Sequence, residues 1–361
     1  MQKIVFSFIA IAAAAAAMST AFTSCNKMMD DRTSVATEEY VPEGSSRVTI
    51  NFFEPAVTKA GTAATTAEKN INSLAVYVFD KNNKLEAVMT PSIAGDKQSA
   101  TATVTITNGQ KYFRAVANGE AFSTTIGTTT VSDFDNKLSV LGTNTTSSFV
   151  MTASGSKKIL TDDTINMTLN RLCSKVCLVR ITRSFADADL AELNLKITGV
   201  WINNVAGDIT WGASAVAAAS VSNWYNKGTY AIASQHSDLS TLLYHDIADY
   251  TLAQSASNTT ESTFYVYSNS SAATTMAGTW SQRVSRMVVE CELAGMAEKK
   301  YYIAQLPQTD PNKVYNVDLT LTGLPCDNPD DPTSTTALEL GVTATITVSD
   351  WGAAVDVPVT I

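Results

Sequence analysis

Histidine is nearly missing from this chain: His236 and His245 are the two among 361 residues, and they do not form a paired set of His metal ligands. The pair His245-Asp246 carries no Gly-x-Ser-x-Gly elbow or comparable nucleophile setting, so it does not assemble into a triad. Charge is scarce too. Asp, Glu, Lys and Arg make up 16% of the residues, well under the usual quarter, and the net balance is −9. Basic residues never cluster beyond a Lys-Lys pair, which argues against a nucleic-acid backbone or an anionic lipid surface as partner. Glycine-rich phosphate cradles are absent as well. Asp327, Asp330 and Asp331 lie close together, yet in a linker where a solvated acidic run is the ordinary reading rather than a calcium site. Catalysis needs groups that act together, and none are gathered here, so the chain reads as a non-enzyme without cofactor or metal.

Cysteine is rare, with five residues in all. Cys173 and Cys177 fall four apart on one expected strand, roughly 13 Å by strand rise, which is too far for a disulfide. They read as buried, inert thiols, and the states of Cys291 and Cys326 are left open. The fifth, Cys25, closes an N-terminal targeting segment. Lys3 supplies a positive start, and residues 4–18 are an Ala-rich apolar run shorter than the ~20 residues that cross a bilayer. The ending Phe22-Thr-Ser-Cys25 looks like a bacterial lipobox, although Phe22 and Ser24 replace the commoner Leu and Gly/Ala. A plain secretory peptide cut near Cys25 is the alternative. A lone cysteine at this point favours removal of 1–24 and acyl attachment to Cys25, anchoring the protein to a membrane. Asp30 and Asp31 then resemble a surface-export signal of some Gram-negative lipoproteins.

What the chain does have is strand pattern. Val48 to Phe53 alternates apolar and polar, while Ile71 to Phe79 is apolar on both faces, as a central strand is. Ala102 to Ile106 alternates, Asn108-Gly109 turns, and Tyr112 to Ala117 follows. A second series runs through 165–169, 171–181, 195–200, 262–267, 286–293, 300–305 and 315–321. Spacings of this kind predict antiparallel sandwiches, with a boundary near Asn170 giving two β-sandwich domains. Short helices are expected over 131–141 and 241–249, and loops over 206–238. Trp201, Trp211, Trp224 and Trp280 read first as core filling and second as a sugar-binding platform.

After the linker Pro325 to Pro332, alternation returns over Leu338, Leu340, Val342, Ala344, Ile346 and Val348. Beyond Trp351 the apolar phase moves to odd positions: Val355, Val357, Val359 and Ile361. A bend or bulge at Asp350-Trp351-Gly352 is the physical implication. A long strand with one apolar face at the end of a tether raises the question of its partner.

Several stretches together resemble one family, the fimbrillins, subunits of the type V pili of anaerobic Gram-negative bacteria. They are the lipobox, Ile71 to Asp80, Gly109-Gln-Lys-Tyr-Phe-Arg-Ala-Val-Ala-Asn118-Gly and Met151-Thr152. Leu169-Asn-Arg171-Leu-Cys-Ser-Lys175-Val, Tyr315 to Gly323, the Asn/Asp-Pro linker and Thr347-Val-Ser-Asp-Trp351 complete the set. No one of these is specific alone; their order and spacing carry the resemblance. It implies an all-β protein of two transthyretin-like β-sandwich domains with a C-terminal donor-strand arm. The expected division is 1–24 signal peptide, 25–59 lipidated propeptide, 60–169 and 170–324 sandwiches, 325–336 linker and 337–361 arm.

The resemblance further implies a pilus built at the outer membrane and cell surface, supporting adhesion. An Arg- or Lys-specific protease would remove a first strand, here the one carrying Val48, Ile50 and Phe52. The arm of a neighbouring copy, or of a related tip or anchor pilin, would fill the groove. The arm residues are Leu338, Leu340, Val342, Ala344, Ile346, Val348, Trp351, Val355, Val357, Val359 and Ile361. Lys27 lies beside the lipid anchor and Lys69 nearly abuts the strand starting at Ile71, which leaves Arg32, Arg47 and Lys59. Cutting after Arg32 or Arg47 leaves the first strand in place, so Lys59 is the expected site, with Arg47 as the alternative. Lys in place of the commoner Arg leaves the protease's identity open. The competing readings are a tip or anchor subunit, or a carbohydrate-binding surface lipoprotein.

Overall fold

Alternation around Val48 becomes strand β1 (Ser45–Phe53), whose inward residues Ser46, Val48, Ile50 and Phe52 are all buried. The structure, a computed structural model, describes residues 41–53, 56–57, 62–215, 224–226, 242–258, 262–275, 277, 281–329 and 341–354. In chain order there follow β2 (Ala56–Val57), β3 (Thr62–Ala63), β4 (Leu74–Phe79), β5 (Leu85–Met89), β6 (Ser92–Ile93), β7 (Ser99–Thr107) and β8 (Gly109–Ala117). Next come helix α1 (Val131–Asp135), β9 (Leu138–Val140), β10 (Met151–Ile159), β11 (Asp163–Thr168) and β12 (Asn170–Arg171). One sheet has the order β11-β1-β7-β6 and the facing sheet β12-β10-β8-β4-β5. Between them lie Val48, Ile50, Phe52, Val76, Val78, Phe113 and Met167, a core closed by both inner faces.

β4 shows why its sequence is apolar on both sides. Val76 and Val78 join that first core, whereas Tyr77 and Phe79 point the other way, into a second cluster shared with the rest of the chain. Asn118 finishes β8 with a φ of 57°, the left-handed region that Asn tolerates better than most residues. Its side chain donates to the carbonyls of Asn70 (2.8 Å) and Phe149 (2.9 Å) and accepts from the N–H of Asn72 (2.8 Å). One residue of the Tyr112-to-Gly119 motif thus ties three segments together.

The second half supplies β13 (Ser174–Arg183), α2 (Ala188–Glu192), β14 (Leu195–Asn203), β15 (Val205–Ala206), β16 (Asp208–Thr210), β17 (Trp224–Tyr225), β18 (Tyr244–Thr251) and β19 (Ser257–Asn258). β20 (Ser262–Val266), β21 (Arg286–Leu293), β22 (Lys300–Gln305), β23 (Lys313–Leu321) and β24 (Val342–Ala354) complete it. The sheet β19-β13-β23-β24-β2, with β20 also on β13 and β3 on β24, accompanies the sheet β18-β14-β21-β22. Val176, Leu178 and Leu319 from the first share a core with Ile197, Val289 and Tyr302 from the second. The protein is therefore all-β with two pairs of sheets, as the strand spacing predicts.

Three local expectations change. The helix expected over 241–249 is instead part of β18, which pairs with β14. Its register jumps between Ile197/Tyr250 and Gly199/Asp246, so a bulge puts Ile247 and Tyr250 three apart and imitates helical spacing. Within 131–141, α1 does form, capped by reciprocal Thr130–Asp133 bonds, but the chain then leaves helix for β9. The loop expected over 206–238 contains short strands: β16 pairs with β9 and β17 with β15. Trp201, Trp211 and Trp224 are buried and form no surface platform; Trp280 lies outside the described residues.

Cys173, Cys177, Cys291 and Cys326 are all free thiols, the first three buried. Burial pushes Cys173 and Cys291 each up to about 12, which keeps them protonated and inert. His245 donates from Nε2 to the carbonyl of Thr263 (2.7 Å) and packs edge-on to Phe264, a structural setting.

Candidate assembly site

β1 is an interior strand, not an edge. It runs parallel to β11 from Val48↔Asp163 to Phe53↔Thr168 and antiparallel to β7 from Ser45↔Thr107 to Phe53↔Ser99. Taking it out would leave two facing ladder edges and a slot where Val48, Ile50 and Phe52 now sit at 0% exposure. Arg47 lies inside this paired strand, opposite Thr105, with its N–H donated to Asp162 (2.8 Å). A protease needs an extended, unpaired stretch, so the ladder protects Arg47. Lys59 falls between β2 and β3 and, like Cys25, lies outside the described residues.

The arm strand meets its partner within its own chain. β24 is antiparallel to β23 over nine residue pairs, from Lys313↔Asp350 to Leu321↔Val342. The sequence could not say this, because alternation is the same whether a strand pairs within a chain or between copies. Val342 and Trp351 are buried and Ile346 is half-buried, but Ala344 is exposed and Val348 is 54% exposed. Leu338, Leu340, Val355, Val357, Val359 and Ile361 lie outside the described residues.

At its far end β24 pairs in parallel with β3 (Trp351↔Thr62) and with β2 (Ala353↔Ala56). The two short strands that bracket Lys59 therefore rest on the arm. Just beyond β3, Thr65 and Glu68 exchange hydrogen bonds, Thr65 N–H to Glu68 Oε2 (2.7 Å) and Glu68 N–H to Thr65 Oγ1 (3.3 Å). This fixes a short 3₁₀ turn (Ala67–Lys69) and aims the Glu68 carboxylate inward, where the residue is 2% exposed.

Around Glu68 the separate motifs converge. Lys175 Nζ donates to Oε1 (2.9 Å), as does the Tyr265 hydroxyl (2.7 Å), and Trp351 Nε1 reaches Oε2 at 3.4 Å. Arg171, wholly buried, donates from Nε and Nη2 to the Glu68 carbonyl (3.1 and 3.0 Å). Its guanidinium also lies 4.5 Å from the Trp351 ring centre. Tyr265 stacks on Trp351 at 5.7 Å and Phe149 meets it edge-on at 5.5 Å. Burial alone would push the Glu68 carboxyl up. Hydrogen bonds from Tyr265, Lys175 and the Thr65 N–H outweigh it and hold the pKa below the ordinary carboxylate range. Burial, then donation to Glu68, pushes the Tyr265 phenol up.

Arg171, Lys175 and Trp351 were legible as motif residues, though not as neighbours. Glu68 and Tyr265 were missed. The Thr65-x-x-Glu68 spacing was the one available signal, since Thr three before Glu is the pattern of reciprocal capping bonds.

Residues 46–180 match the model of a family described as major fimbrial subunit protein (FimA). The fold is similar to a putative cell adhesion protein from Bacteroides eggerthii, at 17% identity, TM-score 0.62, covering 88% of this chain and 99% of that one. It is also similar to a fimbrilin (fimA) from Porphyromonas gingivalis, at 13% identity, TM-score 0.59, covering 85% and 98%. A putative cell adhesion protein from Parabacteroides distasonis gives 13% identity, TM-score 0.60, and coverage of 86% and 100%. None of the curated protein sequences matches the chain. These solved structures show that the β-sandwich fold is shared. The family match spans residues 46–180, less than half of the chain.

Proposed function

We propose that this chain is a fimbrial stalk subunit that polymerises at the cell surface by protease-activated strand exchange. One observation carries the reading: β1, with its buried Val48, Ile50 and Phe52, is an interior strand joined to the rest of its sandwich through residues 54–61. A cut after Lys59 would separate it covalently from everything that follows. Within one chain an incoming strand competes with β1 on equal terms, so exchange has little driving force. Once β1 is cut free, its departure leaves apolar slots and unpaired ladder groups that a neighbour's arm can fill. The cut is thus the switch. The other members of the assembly are further copies and related tip or anchor pilins, with an Arg/Lys-specific protease acting on each.

Lys59→Ala is expected to leave a folded precursor and no filaments by electron microscopy. Filaments in wild-type amount from that variant would refute activation at this bond. Before processing, lipid on Cys25 holds the precursor at the outer membrane. Cys25→Ser is expected to shift the precursor from the membrane to the soluble fraction, with a mass lacking acyl chains. Unchanged membrane partition and mass would contradict lipidation.

A further inference from the structure

Trp351 divides the arm into a part that stays and a part that can leave. We infer that residues 342–352 are a permanent strand of the subunit's own second sandwich. The segment exchanged between copies of this chain begins only after Gly352. This rests on the exchange reading above and narrows it to one segment and one anchor.

The first part is pinned at both ends and along its length. At its start, Gly341 takes φ +84° and comes so close to the chain leaving β23 that a Cβ would stand 2.5 Å from the Leu324 carbonyl. The N–H groups of Thr322 (2.7 Å) and Gly323 (3.2 Å) donate to its carbonyl. Along its length run the nine residue pairs with β23, reinforced by the Lys313–Asp350 ion pair. At its end, Trp351 donates its backbone N–H to Asn312 (3.1 Å), and the Gly352 carbonyl accepts from Ala64 (2.8 Å). The indole fills a socket made by Glu68 and Phe149 from the first half of the chain and Arg171, Lys175 and Tyr265 from the second. Withdrawing it would strip a buried carboxylate of one donor and a buried guanidinium of its aromatic face.

The second part has the pattern of the strand it would replace. β1 turns four residues inward at two-residue spacing: Ser46, Val48, Ile50 and Phe52. Val355, Val357, Val359 and Ile361 repeat that spacing with four apolar side chains. Pro358 falls between those apolar positions in the sequence, and a strand built on this spacing would lack a single ladder N–H there. By contrast the earlier alternating face, Ala344 to Val348, leaves Ala344 and Val348 exposed where it sits, as a strand at a surface does.

The cut also has a different effect on the two parts. β3 and Glu68 follow Lys59 and remain with the mature subunit, holding Trp351 and Gly352. β2 precedes Lys59 and departs with β1, removing the parallel partner of Ala353 and Ala354. Proteolysis therefore opens the acceptor slot and unclasps the donor segment in one step. Pull on an assembled filament would reach Trp351 first, at a point where both halves of the subunit are bonded to it.

The test locks β24 to β23 and asks whether filaments still form. Asn316 and Thr347 face each other across that ladder, Thr347 exposed and Asn316 half-buried, so Asn316→Cys/Thr347→Cys can be bridged by oxidation and the bridge mapped by peptide mass. The locked subunit, processed at Lys59, is expected to polymerise to within twofold of the wild type. A chain lacking 353–361 is expected to give no filaments. If the bridge lowers filament yield tenfold or more and reductant restores it, the fixed-strand inference is overturned while strand exchange stands. Filaments from the chain lacking 353–361 would overturn the inference as well. If Lys59→Ala also polymerised, activation at that bond, on which this inference rests, would fall.

Discussion

Trp351→Ala is expected to lower the unfolding free energy by about 3–5 kcal/mol, the range for truncating a buried aromatic side chain. The ring is fully buried. Its removal opens a void among Tyr265, Phe149 and Arg171, whose positions are fixed by other bonds and cannot collapse far. The loss goes beyond volume, because the Arg171 guanidinium forfeits the ring face it lies against and Glu68 forfeits an N–H donor. Trp351→Phe separates these effects. It keeps most of the packing and removes the indole N–H, so it should cost only about 1–2 kcal/mol. Urea unfolding followed by circular dichroism measures both. A Trp351→Ala midpoint unchanged from the wild type would show that the socket does not hold the arm.

Glu68→Ala is expected to be comparably damaging, at about 3–5 kcal/mol, because it strands the Lys175 ammonium and the Tyr265 hydroxyl in a buried site without their common acceptor. Glu68→Gln retains one acceptor oxygen and should cost less. The two glutamate variants also give a pH signature. The folded-state pKa of Glu68 lies below its ordinary value of 4.5, so ionisation favours the folded state. That contribution is fully present above the ordinary value and disappears as pH falls through the lowered folded-state value. The stability gap between the wild type and Glu68→Gln should therefore be constant near neutrality and shrink below pH 4.5. A gap that is flat down to full protonation would contradict the ion-pair account. Trp351 and Glu68 share partners, so their double variant should lose less than the sum of the singles, by about 0.5–3 kcal/mol.

Much of this fold could be read directly from the residues, and the exceptions have physical causes. β1 and β4 were legible because burial on one face or two writes itself as alternation or as a continuous apolar run. β18 was not, since a bulge beside Gly199 breaks the two-residue period on which such reading depends. Arg171, Lys175 and Trp351 stood out as parts of motifs, yet their meeting is a product of topology that no local pattern records. Glu68 lies in a Thr/Ala-rich stretch, marked by nothing but its spacing from Thr65. The place of β24 was ambiguous for a deeper reason: the same alternating face serves pairing within a chain and pairing between chains. The socket resolves part of that ambiguity by holding Trp351 within its own chain.

The most direct measurement is N-terminal sequencing, with intact mass, of subunits recovered from sheared surface filaments. Cleavage after Lys59 predicts a single start at Ala60, with β1 and β2 absent and β3, Glu68 and the Trp351 socket retained in every assembled copy. Filament subunits that begin at Cys25 or Val48 would still contain Val48, Ile50 and Phe52, leave the first sandwich with no vacant slot, and contradict strand exchange as the basis of assembly.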